Sequence, residues 1–148
     1  MAISDSLSKP VLLYFTGDTS VNSRKFENSV WPDPEVYDLL NYQFIIAQMY
    51  VDSWVPLDTD ADLPDSMNTI GAYWMNYQRM HYDEKLQPLF DIVNHRNESL
   101  VQEIATSQSH YDAKLYKEWL DQGLRSFRIQ EDLRARLDES PPDDLAYF

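Results

Sequence analysis

The chain has 148 residues, with 12 Lys and Arg against 25 Asp and Glu, and so a formal charge of −13. That length suits one domain, and 43% hydrophobic with 14% aromatic residues is enough for a packed core, which excludes wholesale disorder. The charge argues against duplex nucleic acid, whose phosphates call for clustered Lys and Arg; no apolar run reaches the ~18–20 residues of a membrane span. The opening Met1-Ala-Ile-Ser-Asp-Ser-Leu-Ser8 has neither a basic nor a long apolar stretch, so no signal peptide is expected in it. Cysteine is absent, which excludes disulfides, thiolate metal sites and thiol chemistry by these residues themselves.

Val11-Leu-Leu-Tyr-Phe15 is a short apolar run after Lys9-Pro10 and reads as a buried strand. Gly17-Asp-Thr19 breaks it, and Val21, Phe26 and Val30 then fall on one face of a helix over 20–30. Trp31-Pro32 ends that helix. Asp33 offers a capping oxygen and Pro34 suits a first helical position, so a second short helix is expected over 34–41. Phe44 to Val51 is the strongest strand signal, and its nearly continuous apolarity predicts cover on both faces. Residues 52–65 form an acidic loop. A helix over 68–80 carries Ile70, Tyr73, Trp74 and Tyr77 at i, i+3, i+4, i+7.

Pro88–Val93 and Ser99–Ile104 flank the polar turn 94–98, the pattern of a hairpin. Asp112 to Gln122 reads as an amphipathic helix with Leu115, Trp119 and Leu120 inward, closed by Gly123. Residues 125–138 suit a further charged helix, and 139–148, with Pro141-Pro142, a mobile tail. A β-α-β unit followed by β-β-α predicts an α/β fold: a four-stranded mixed sheet with helices on both faces, the thioredoxin-like core, over 1–124, with 125–148 as an extension.

The local words agree with that order. Lys9-Pro-Val-Leu-Leu-Tyr-Phe-Thr-Gly17, Ser20-Val-Asn-Ser-Arg-Lys25, Val30-Trp-Pro-Asp-Pro-Glu-Val36, Tyr50-Val-Asp52 and Thr69-Ile-Gly71 with Trp74 and Gln78 run in sequence over about residues 9–124. Together they resemble the C-terminal domain of DsbD-type thiol:disulfide interchange proteins, in the form found in exported Bacteroidetes proteins. The resemblance implies a thioredoxin-like fold, export to the periplasm and disulfide exchange with partner proteins. It places Ser20 at the attacking and Ser23 at the resolving cysteine position, where the family has Cys-Val-Asn-Cys. It also makes Gln87-Pro88 a cis-proline pair that docks a substrate backbone, with Val21, Asn22 and Trp31 beside it. A hydroxyl, with a pKa far above a thiol's ~8.5, forms no disulfide, so the expectation is a redox-inactive Ser-x-x-Ser form. Deliberate replacement of both cysteines and a natural relative kept for binding both account for it. The alternative function is a non-catalytic module for a peptide or partner protein.

Rival sites are weaker. A serine hydrolase on Ser20 or Ser23 needs a histidine in reach; His81, His95 and His110 are expected at the surface, and no G-x-S-x-G elbow occurs. Asp58, Asp60 and Asp62 alternate like hard-cation ligands but lack the glycine and terminal glutamate of a calcium loop, so they read as solvated. No metal or cofactor is expected. Trp31, Tyr73, Trp74 and Tyr77 could line a peptide groove, although aromatics at helical spacing are usually core.

Overall fold

The computed structural model describes residues 8–58 and 64–139. Four strands, β1 (Val11–Thr16), β2 (Ile45–Tyr50), β3 (Leu89–Val93) and β4 (Ala105–Thr106), form one sheet in the order β2-β1-β3-β4. β1 pairs parallel with β2 and antiparallel with β3, Tyr14 lying opposite both Gln48 and Phe90. All six residues of β1 are buried, so its side chains feed two cores at period two. Leu12 and Tyr14 face helices α1 (Val21–Ser29), α2 (Pro34–Tyr42) and α4 (Ala113–Glu139); Val11, Leu13 and Phe15 face α3 (Ile70–Tyr82). This is the mixed α/β sheet, with helices on both faces, that the element order predicts.

Phe90 is the hub of the first core, with the rings of Tyr14, Phe26, Trp31, Tyr116 and Trp119 around it at centroid distances of 4.7–6.5 Å. Tyr14 stacks on it almost parallel, at 6°. Asp33 caps its helix as expected, accepting from the N–H groups of Glu35 and Val36, and Thr69 caps α3 by accepting from Ala72. In the second core the buried Asp91 accepts from the Tyr82 and Ser99 hydroxyls at 2.9 and 2.7 Å. Burial pushes its pKa up against those bonds.

Five expectations need correction. The strand expected to be covered on both faces is an edge: of the six residues of β2 only Met49 is buried, because β1 takes the centre. The second hairpin arm comes later and is shorter than 99–104. Ser99 makes one isolated bridge to Val93, and the paired strand is Ala105–Thr106. Gly123 does not end a helix. α4 runs 27 residues straight through it, because the missing side chain lets the helix pass over Ile92, whose side chain a Cβ there would strike. Leu115 is 49% exposed, and Tyr116 takes the inward position instead. His110 is buried beside Trp119, with Ser109 bonded to its ring, and burial lowers its pKa against the pull of Glu103. Asp60, Asp62 and the tail 140–148 lie outside the described residues.

α3 docks by a second close approach. Gly71 is buried and donates to the Ser53 carbonyl, and a Cβ there would stand 2.5–2.6 Å from the Ser53 main-chain N and O. Gly→Ala inside a helix ordinarily gains up to ~1 kcal/mol. Here the main chain would have to move, so Gly71→Ala is expected to cost about 1–3 kcal/mol in chemical denaturation.

Candidate functional site

Three chain segments meet at one end of the sheet. β1 and β2 are parallel and finish there, and the antiparallel β3 begins there. The residues Gly17, Thr19, Ser20, Val21 and Asn22, then Val51 and Asp52, then Lys85, Leu86 and Gln87, with Met75 as floor, enclose a cleft of about 390 Å³. Ser20, Val21, Asn22 and Gln87 are thus brought together as the resemblance implies. The Gln87–Pro88 peptide is cis, and Pro88 is buried directly ahead of β3.

Ser20 caps α1: its backbone is extended and its Oγ accepts from the Ser23 N–H at 3.2 Å. One turn on, the Ser23 side chain is fully buried, and its hydroxyl has no hydrogen-bond partner among the described residues. It lies beside the Tyr14 phenol without a bond of good geometry. Burial first, and then the Glu27 carboxylate to which it donates at 2.8 Å, push that phenol up to about 12, against the hydroxyls of Thr16 and Ser23. Arg24 joins the cluster, pairing with Glu27 at 3.3 Å and donating to the Thr16 hydroxyl and Gly17 carbonyl.

The walls are tied down by two side chains whose roles the sequence did not disclose. Asp52 takes the Asp18 N–H on Oδ1, and the Thr19 N–H and hydroxyl on Oδ2, at 3.0–3.1 Å. Its slight burial raises its pKa, but these bonds outweigh that and hold the carboxyl below its ordinary value. Gln78 is completely buried; its Nε2 donates to the Leu86 carbonyl at 2.8 Å and its Oε1 accepts from Gln87 Nε2 at 3.1 Å. The Gln87 side chain is therefore turned inward. Its own main-chain N–H and C=O have no partner among the described residues. Gln87 itself lines the cleft.

Trp31 is not part of this cleft. It follows the nine residues of α1, about 13 Å of helix, and so lies at the far end from Ser20. There its ring packs on Tyr14 and lines a separate hollow with Glu27, Pro32 and Tyr37. Trp74 and Tyr77 pack on Phe15, as core aromatics do, and with the more exposed Tyr73 line a hollow against β2. Trp54, by contrast, is 90% exposed, at the edge of a hollow that shares Val51, Asp52 and Met75 with the cleft. None of the three histidines lines the cleft, which leaves the hydrolase reading without a base. Among the described residues no group of three or more His, Asp or Glu is placed to hold a metal.

The two serines are expected to respond oppositely to removal. Ser20→Ala loses the cap and costs about 1 kcal/mol, whereas Ser23→Ala discards a buried, unbonded hydroxyl and leaves denaturation midpoints level or higher. Asp52 gives a pH signature. Its folded pKa is depressed, so its contribution is complete above the unfolded value and is lost as pH falls through the folded one. Asp52→Asn is expected to cost about 1 kcal/mol at neutral pH, discounted for solvent screening. The gap to the parent should close below the ordinary carboxylate range in urea titrations across acid pH.

No protein-family model matches the sequence, and no curated protein matches it either. Solved structures do. A thioredoxin from Thermus thermophilus, determined in solution, superposes with a TM-score of 0.54 at 19% identity over 82% of this chain and 78% of its own. The DsbH oxidoreductase gives 0.54 at 13% identity over 84% and 78%. At such identities the likeness is one of fold: the chain has the thioredoxin fold, and its cleft lies at the end of the sheet where β1 hands over to α1.

Proposed function

We propose that this protein is a redox-inactive thioredoxin-like domain, of the DsbD-type thiol:disulfide interchange kind, whose cleft docks an extended segment of a partner protein. In this reading Ser20 and Ser23 stand where an attacking and a resolving cysteine would. Gln87 offers its main chain to the partner by strand addition, and Val21, Asn22 and the exposed Trp54 contact its side chains. The DsbD-type assignment and an exported, periplasmic setting rest on the sequence resemblance.

The observation that carries the reading is Ser23. A buried hydroxyl without a bond forfeits free energy, while a thiol, which behaves as a small hydrophobe, suits the same space. The position fits cysteine better than the serine it holds. Ser20 meets the complementary requirement: the exposed N–H groups and dipole of a helix N-terminus stabilise a thiolate, with Arg24 one turn away. Each serine keeps the local structure while removing the chemistry.

The test is the Ser20→Cys, Ser23→Cys double variant, titrated against glutathione and assayed for insulin reduction. The expected result is a disulfide that closes with a potential in the ~−120 to −270 mV range of known oxidoreductases, together with turnover. A pair that does not close would sink the exchange reading. Closure without turnover would favour the alternative, a binding module whose cleft has left redox partners behind.

A further inference from the structure

At the corner where α1 turns into α2, a hollow of about 630 Å³ is lined by Glu27, Trp31, Pro32, Pro34, Tyr37 and Asp38. Glu27 with Trp31, and Pro34 with Asp38, are spaced i, i+4, so each side of the corner brings one carboxylate and one apolar group to the same face. Trp31 packs inward on Tyr14 and Phe90. The Tyr37 ring is 57% exposed and has no ring partner among the described residues. The Glu27 side chain is only 26% exposed, and both the hydrogen bond from Tyr14 and the ion pair with Arg24 fall on its Oε1. Its Oε2 and the Asp38 carboxylate have no partner among the described residues.

We propose that this hollow receives an arginine side chain of a partner protein. Charge selects a cation: no Lys or Arg lines the hollow, and two carboxylates do. The nearby Arg24 holds Oε1 of Glu27 and leaves Oε2 open, while Lys117 is engaged with Asp121 and Glu35. The chain's remaining segments do not supply the cation, because residues 1–7, 59–63 and 140–148 contain neither Lys nor Arg. A second copy carries the same charge of −13 and is repelled. Among cations the guanidinium suits the lining. Its planar, weakly hydrated face stacks on aromatic rings, and its fork of N–H groups meets carboxylate oxygens in pairs. An ammonium is a compact, strongly hydrated point charge. A free guanidinium gains little here. Each ring or exposed ion pair contributes at most about a fivefold factor, so three such contacts multiply to a Kd of about 10 mM. Tighter binding needs the surrounding surface that a protein brings, and the exposed Pro32, Pro34 and Asp38 leave the hollow open to one. The site lies at the far end of α1 from Ser20, so it does not depend on how the cleft is used.

The probe is a blocked glycyl-arginyl-glycine tripeptide, titrated to about 50 mM at constant ionic strength, roughly five times the expected Kd. Proton–nitrogen correlation spectra should show saturable shifts confined to the Trp31 indole and the main-chain amides around Tyr37 and Asp38. On the unaltered protein, the citrulline tripeptide, of the same shape without the charge, should not saturate, and the lysine tripeptide should bind about threefold more weakly. Asp38→Lys should weaken binding about tenfold, and Tyr37→Leu about threefold, both at exposed positions that leave the circular dichroism unchanged. Asp58→Lys changes the net charge equally, in the loop where Leu57 bonds to Asn68 ahead of α3, and should leave the affinity within about twofold. No saturation by the arginine peptide would overturn the proposal. So would equal losses from the two charge reversals, or shifts spread over the acidic surface, since either reduces the binding to net charge. Citrulline or lysine peptides that bind as well as the arginine one would overturn the guanidinium assignment. Free L-arginine binding more tightly than the tripeptide would assign the hollow to a small molecule instead of a protein.

Discussion

The burial of β1 on both faces is the constraint from which the rest of the molecule follows. A strand with no exposed residue must be covered by helices on each side and paired on each edge, and β1 is. Because β2 is parallel to it and β3 antiparallel, the segments after β1, after β2 and before β3 all emerge at one end of the sheet. This is where open α/β sheets leave a crevice. Ser20, Asp52 and Gln87, 32 and 35 residues apart in the chain, become neighbours through strand direction alone.

Once there, the three segments are held by side chains that satisfy main-chain groups. Asp52 collects the N–H groups of the first loop, Ser20 caps the helix, and Gln78 reaches from α3 into the loop ahead of Pro88. A loop fixed in this way keeps its shape when the residues exposed on it change. Among the described residues four buried side-chain atoms have no hydrogen-bond partner: the Ser23 hydroxyl, Arg24 Nε, Trp31 Nε1 and the Tyr116 hydroxyl. Proteins break local consistency mainly at functional sites, and Ser23 lies in the turn of α1 that Ser20 caps at the cleft.

The sequence disclosed most of this frame where the signal was local. The apolar run of β1, the cap at Asp33, and the helical spacing around Trp74 depend on near neighbours, and each is found as read. The errors were of tertiary origin. β2 reads as a central strand because its apolar residues are real, yet a sheet edge is decided by what pairs beyond it. Gly123 carries the ordinary mark of a helix end, and only the nearness of Ile92 turns it into a point of close passage. The resemblance sets Trp31 beside the serines, and the nine residues of α1 separate it from Ser20. The cis geometry at Pro88 came from the resemblance, since nothing in Leu86-Gln87-Pro88 itself distinguishes cis from trans. The roles of Asp52 and Gln78 had no local signal, because both act on main chain that is distant in sequence.

On the proposed reading, docking and exchange chemistry are separable on this fold, and the serine pair is what separates them. The elements suited to binding an extended segment are the main chain of Gln87, the exposed Val21 and Asn22, and the walls fixed by Asp52 and Gln78. None of these depends on a thiol. The elements suited to chemistry are the helix N-terminus, Arg24 and the buried pocket at residue 23, and they have no work to do for a hydroxyl whose proton stays on at any physiological pH. A chain that retained only the first set would be free to lose the second. Here Ser20 caps the helix with its oxygen and Ser23 is buried without a bond, and these are the two positions at which the proposed reading sets the missing thiols.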